Sequence, residues 1–144
     1  STLEDKSLGC VQKGGKSPVS DVIEYAGHVK TKGLTLLYGP GNDLVSATAL
    51  AAAGAHMILF TTGRGTPFGA PVPTIKISSN TPLFQKKKNW LDFDAGPVAE
   101  GEEITSAAKR LMNLVLETAS GKIQTKAEQQ GYRGIAIFKS GITL

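Results

Sequence analysis

Short apolar runs alternate with helical patterns along most of the chain, and that alternation sets the expected architecture. Leu34-Thr35-Leu36-Leu37-Tyr38, Met57-Ile58-Leu59-Phe60 and Thr74-Ile75-Lys76-Ile77 are each too short for a buried helix, and each reads as a strand. Trp90-Leu91-Asp92-Phe93 alternates like a strand, and Ile135-Ala136-Ile137-Phe138 reads as the last one. Asn42 or Asp43 can cap a helix from Leu44 to Ala53, ended by Gly54 and built of small residues that permit close packing on a sheet. Residues 34–60 then form one compact βαβ unit. Thr81-Pro82 opens a short helix through Lys88. Residues 102–119 form the longest helix, acidic in its first turn and stopped by Gly121. Its apolar residues, among them Ile104, Leu111, Leu114, Val115 and Leu116, cover a wide face, so it is expected to be well buried. A short helix follows near residues 125–130. Upstream, Pro18 opens a short helix through Tyr25, capped by Ser17 and ended by Gly27. Residues 1–17, polar and glycine-containing, are expected to form a loop-rich arm.

These elements predict an α/β chain, a single domain over residues 1–144: a three-layer, Rossmann-like, mostly parallel sheet with helices on both faces. A length of 144 residues suits one domain with a sizeable core. The single cysteine, Cys10, excludes an internal disulfide and fits a reducing compartment. The first residue is Ser1 rather than Met, no basic-apolar leader precedes the fold, and no apolar run approaches the ~20 residues of a membrane span. A cytoplasmic chain without a membrane partner is expected, and one that belongs to something longer. The net charge of +4 invites a nucleic-acid partner, but the 16 Lys and Arg are scattered and aromatics make up only 6%. The one dense run, Lys86-Lys87-Lys88, is most simply a solvated helix face. Without basic and aromatic residues interleaved there is nothing to stack bases, so no nucleic acid is expected. A small anionic substrate suits the modest positive field equally well.

The richest chemistry lies where the second of these strands ends, in Phe60-Thr61-Thr62-Gly63-Arg64-Gly65-Thr66-Pro67-Phe68-Gly69. Glycines let backbone N–H groups approach a ligand, and the arginine fork matches a carboxylate in two parallel hydrogen bonds. The carboxyl edge of the strands is also where open α/β sheets bind ligands. A strain-relieving loop would need the glycines but not a long cation between Gly63 and Gly65. The preceding strand delivers Gly39-Pro40-Gly41-Asn42-Asp43 to the same edge, at a helix start whose free N–H groups can hold an anion. Two such loops would flank one crevice.

Nucleotide sites are excluded more firmly. The spacing from Gly63 to Gly69 is one residue too long for the dinucleotide fingerprint, and Pro67, Pro71 and Pro73 prevent the helix that must follow it. No Gly-Lys-Ser/Thr is present. His28 and His56 lack a partner at metal-ligand spacing. Asp92 and Asp94 share a face of their strand and suit solvation or capping better than a metal. Cys10 beside Gly9 reads most simply as a small half-buried side chain. Lys13, Lys16 and Ser17 could fold over an anion.

Six segments, in order over about the whole chain, resemble the C-terminal part of the altronate and galactarate dehydratases. They are Glu4-Asp5-Lys6-Ser7-Leu8-Gly9-Cys10, Lys16-Ser17-Pro18-Val19, Tyr38-Gly39-Pro40-Gly41-Asn42-Asp43, residues 60–69, Val72-Pro73-Thr74-Ile75-Lys76 and Asp92-Phe93-Asp94-Ala95-Gly96. Cys10 and residues 38–43 look closer to the altronate branch. The resemblance implies a hydro-lyase of which this chain is the C-terminal domain, with a small N-terminal domain and a central region upstream. It implies loss of water from D-altronate to give 2-dehydro-3-deoxy-D-gluconate, assisted by a divalent metal, expected to be iron(II). A base takes the proton α to the carboxylate, and charge develops on that group as an enediolate. Arg64, with N–H groups around Gly63 and Gly65, is suited to stabilise that charge and is the catalytic candidate. Asn42, Thr61, Thr62 and Thr66 would bind the polyol hydroxyls. No base or metal cage is evident among these residues, so the metal ligands are unassigned and the chain alone is expected to be inactive. The partners expected are a sugar acid, the upstream domains of the same enzyme and, as an open possibility, further copies of the protein. A non-catalytic scaffold and a small-anion or nucleotide-binding module are the alternatives.

Overall fold

The computed structural model of the protein describes residues 2–138. Their element order is α1 (Leu3–Lys13), β1 (Val19–Ile23), β2 (Leu34–Leu37), α2 (Asp43–Ala52), β3 (Ile58–Thr62), β4 (Thr74–Ser78), α3 (Thr81–Lys86), β5 (Phe93–Asp94), α4 (Gly96–Ala99), α5 (Ile104–Ala119) and α6 (Lys126–Gln129). The class is mixed α/β with parallel pairing throughout, as the alternating pattern implies.

The strands divide between two sheets instead of joining one. β1 pairs with β2, and β3, β4 and β5 form a separate sheet in that order. The expected βαβ unit over residues 34–60 therefore bridges the sheets, since β2 is hydrogen-bonded to β1 and not to β3. Its partner is the segment expected as a helix after Pro18. Val19, Val22 and Ile23 are β-branched and stiff at χ1, and they sit better on a pleated ribbon beside residues 34–37 than in one helical turn.

The three-stranded sheet is covered on both faces, which is the three-layer arrangement. On one face Ala47 of α2 packs with Ile58 and Ala70, joined by Phe60, Phe68 and Val72. On the other, Ile75, Ile77 and Phe93 meet Leu111, Leu114 and Val115 of α5. The small side chains of α2 serve the close approach expected of them, with Ala47, Ala49 and Ala53 all buried. α5 is less buried than its wide apolar face suggests. Ile104 and Leu116 are 75% and 59% exposed, because α5 covers only one stripe of a three-stranded sheet. The two-stranded ribbon also leaves Val22 and Leu36 exposed, unusual for parallel strands, which are normally covered on both faces.

Three further expectations are corrected. The arm over residues 1–17 contains the helix α1: Thr2 Oγ1 accepts from Asp5 N–H and Asp5 Oδ2 accepts from Thr2 N–H, each at 3.2 Å, and Lys13 ends it favourably. Of the strand expected at residues 90–93 only Phe93 belongs to the observed β5, Phe93–Asp94, because Trp90 and Leu91 N–H groups still donate to Lys87 O of the preceding turn. Residues 135–138 form no strand. Their N–H groups turn to side chains instead, Ala136 to Thr48 Oγ1 at 3.1 Å and Phe138 to the Tyr25 hydroxyl at 3.0 Å.

α6 is short but firmly capped. Thr125 Oγ1 accepts from Glu128 N–H while Glu128 Oε2 accepts from Thr125 N–H, a reciprocal capping box in a nearly buried position. Tyr132 N–H then donates to Ala127 O, so α6 sets where the chain emerges at residues 131–134. Thr125→Ala should cost about 1 kcal/mol, read as a lower urea midpoint with an unchanged slope.

Candidate functional site

The glycine-rich loop after β3 is folded by its own hydroxyls and pinned by two lysines. Thr62 Oγ1 accepts from Gly65 N–H at 2.9 Å and from Arg64 N–H at 3.4 Å. Thr66 Oγ1 accepts from Phe68 N–H at 3.2 Å. Gly65 has φ +72, in the left-handed region, and a Cβ there would lie 2.7 Å from Lys87 Cδ. Lys87 donates through Nζ to Arg64 O at 2.6 Å and Gly65 O at 3.1 Å, with its ammonium 4.8 Å from the Trp90 ring. Of the Lys86-Lys87-Lys88 run, then, the middle residue is a loop clamp and its neighbours are exposed.

The second clamp is Lys76, from the middle of β4. It is wholly buried and donates through Nζ to Phe68 O at 3.0 Å. Burial pushes its ammonium below the ordinary value of 10.5, partly offset by the charge of Asp92. Asp92 is pushed up from 3.8 by the same desolvation. Its carboxylate is nevertheless held by backbone donors, with Oδ2 accepting from Lys76 N–H at 2.8 Å and Oδ1 from Lys126 N–H at 2.7 Å. Asp94 Oδ1 accepts from Gly96 N–H. Both aspartates thus serve turns and backbone.

Arg64 is exposed, and its guanidinium meets no acceptor among the described residues. Hydrogen bonds thus hold the loop backbone between Thr62 and Phe68, while the cation it carries stays at the surface. Gly63 is exposed, and a Cβ there would touch only Ser79 Oγ at 3.7 Å. The N–H of Gly65, expected to face substrate, is already engaged by Thr62. Thr61 stands apart from the rest. Alternation along β3 puts it on the face of Leu59, opposite Phe60 and Thr62. Asn42 caps α2, its Oδ1 accepting from Leu44 N–H at 3.1 Å and Val45 N–H at 3.2 Å, which leaves its amide N–H groups as donors.

The two expected loops do not flank one crevice: none of residues 39–43 lines the groove beside the glycine loop, and only Leu44, the residue after them, reaches it. Leu44 at the start of α2, residues 66–69 of the glycine loop and residues 131–134 line one groove of about 420 Å³, the size of a small-molecule site. The third wall was not foreseen. Its sequence signal is Gly131-Tyr132-Arg133-Gly134, a second glycine-flanked cation. Lys76 was equally hidden, as one polar residue inside an apolar strand.

Among the described residues no three His, Cys, Asp or Glu side chains stand together to hold a metal ion. The donor set seen here does not fit a metal cage, since the carboxylates of Asp92 and Asp94 are occupied by backbone N–H groups. No helix of the described residues is long and apolar enough to cross a membrane.

The model for the family described as D-galactarate/altronate dehydratase, C-terminal, matches residues 1–143. The chain belongs to that family. It is 54% identical to an altronate dehydratase of Escherichia coli K12 over 143 residues, which cover 99% of this chain and 29% of the relative. An altronate dehydratase of Bacillus subtilis 168 gives the same identity over the whole chain and again 29% of the relative. A galactarate dehydratase (L-threo-forming) of Escherichia coli K12 is 36% identical over 93% of the chain. The chain therefore spans under a third of the length of the curated altronate dehydratases it matches, so the segment it resembles is part of a larger protein in each.

Proposed function

We propose that this chain is the C-terminal part of a sugar-acid hydro-lyase that converts D-altronate to 2-dehydro-3-deoxy-D-gluconate, with Arg64 stabilising the enediolate charge. The observation that supports it most is 54% identity to altronate dehydratases along the whole chain, together with a clamped loop that presents an uncompensated guanidinium. Thr62 and Thr66, whose oxygens accept from the loop backbone, keep their O–H groups as donors for polyol oxygens, and Asn42 adds its amide. Thr61, on the other face of β3, is the weakest of the expected polyol-binding residues. The iron(II) that the resemblance implies, and the base, would come from the remainder of the enzyme, as would the covering for Val22 and Leu36. Turnover then requires the full-length protein.

Arg64→Ala in the full-length enzyme should lower kcat/KM for D-altronate by about a hundredfold, the scale of one lost oxyanion-stabilising donor. Because Arg64 is exposed, the thermal midpoint should stay within a degree or two of wild type. An unchanged rate would favour the scaffold alternative.

A further inference from the structure

We infer that Arg133 is a second guanidinium of this site, anchoring the carboxylate of a small hydroxy acid from the wall opposite the glycine loop. The inference names a further binding residue and takes its ligand from the sugar-acid function proposed above. Its basis is geometric. Arg133 lines the groove that Thr66 and Phe68 line from the other side, and Arg64 does not line it. The segment that carries Arg133 is fixed against the loop, with Gly134 N–H donating to Gly69 O at 2.8 Å. The approach is so close that only glycine fits at position 69, while at position 134 a side chain would have to displace the tip of Leu44. A Cβ on Gly69 would collide with Tyr132 O, and one on Gly134 would lie 2.7 Å from Leu44 Cδ1. Gly131 turns the chain into this position at φ +72.

Charge points the same way. No acidic residue lines the groove, and among the described residues Arg133 has neither an ion pair nor a hydrogen-bond acceptor. Arg133 is the one cationic side chain among the groove's lining residues, and no carboxylate lines it to compensate the charge. A carboxylate offers about four lone-pair sites on two oxygens, and the Arg133 fork can engage both oxygens in parallel hydrogen bonds. The two arginines would then divide the work. Arg133 grips the carboxylate before reaction and governs KM, whereas Arg64 meets the charge that develops during reaction and governs kcat.

The test is titration of the 144-residue chain with D-altronate, followed by 1H–15N NMR, with D-altritol as the carboxylate-free control. Altronate should shift the amides of Gly69, Arg133 and Gly134, and altritol should not. Arg133→Gln should weaken binding about tenfold or more, and Arg133→Lys, which keeps the charge but not the fork, should fall between. In the full-length enzyme, Arg133→Gln should raise KM by a similar factor with kcat little changed. Altronate binding that depends on Arg133, in an enzyme that does not dehydrate altronate, would support this site while removing the dehydratase function. Turnover of altronate with KM unaffected by Arg133→Gln would overturn it, as would shifts confined to residues 85–90 or no binding by the folded wild-type chain.

Discussion

Lys76→Ala should destabilise the chain by about 3 kcal/mol, whereas Lys76→Met should cost much less and yet loosen the glycine loop. The alanine variant removes three methylenes and the ammonium from a wholly buried position, and it strips Phe68 O of its donor. Relief of the buried ammonium's desolvation offsets only part of this. Methionine keeps the stem and gives up just the hydrogen bond, so stability and loop position separate. Thermal melts should show a drop on the order of 10 °C for Lys76→Ala. Amide exchange at residues 66–69 should quicken in both variants. A pH series adds a signed test. Because folding pushes the Lys76 ammonium below 10.5, its contribution is fully present above that ordinary value and is lost as pH falls through the lowered folded one. The wild type should therefore gain on Lys76→Met as pH rises towards 10.5. The raised pKa of Asp92 acts in the opposite sense, but Asp92 is present in both proteins and largely cancels. A stability gap that is flat across this range would mean that the amine is not desolvated.

The same residue shows where the amino-acid pattern stopped being informative. Periodicity identified β4 because a strand needs only alternation and β-branched residues. It could not say that the central position of that alternation carries an ammonium towards Phe68, since a lysine on a strand normally reads as solvent-facing. β2, β3, α2 and α5 were equally legible, each being set by local runs and caps. The division into two sheets was not. It depends on which strand finds β2, and the true partner, residues 19–23, reads as a helix because of the proline before it. The site followed the same rule. Residues 62–66 were identifiable because glycines around a cation are chemically conspicuous. The bonds that consume the Gly65 N–H and the oxygens of Thr62 and Thr66 come from loop geometry that spacing alone does not contain. Residues 131–134 lie 62 to 65 positions from Gly69 in the chain and reach it only through tertiary packing, so no local window could place them on the groove.

Gly69→Ala should be the most damaging small substitution in the loop, costing about 3 kcal/mol and opening the groove. The added methyl would strike Tyr132 O and approach Ala127 Cβ to 2.9 Å. Neither can yield cheaply. Ala127 is buried in the capped α6, and Tyr132 is tied to it through its own N–H. The strain must therefore be met by moving residues 131–134 outward, which also breaks the bond from Gly134 N–H to Gly69 O. Overpacking of this kind costs roughly 1–3 kcal/mol, and the lost backbone bond adds about 1 kcal/mol. Gly63→Ala is the matched control. Its Cβ meets nothing nearer than Ser79 Oγ at 3.7 Å, so its urea midpoint should stay near wild type. The two variants differ in one consequence that stability alone does not report. If the groove binds the carboxylate through Arg133, displacing residues 131–134 carries that guanidinium away from the loop. Gly69→Ala, studied at a temperature where it remains folded, should then lose altronate binding as fully as Arg133→Gln does. Retained binding in folded Gly69→Ala would place the carboxylate elsewhere on the molecule.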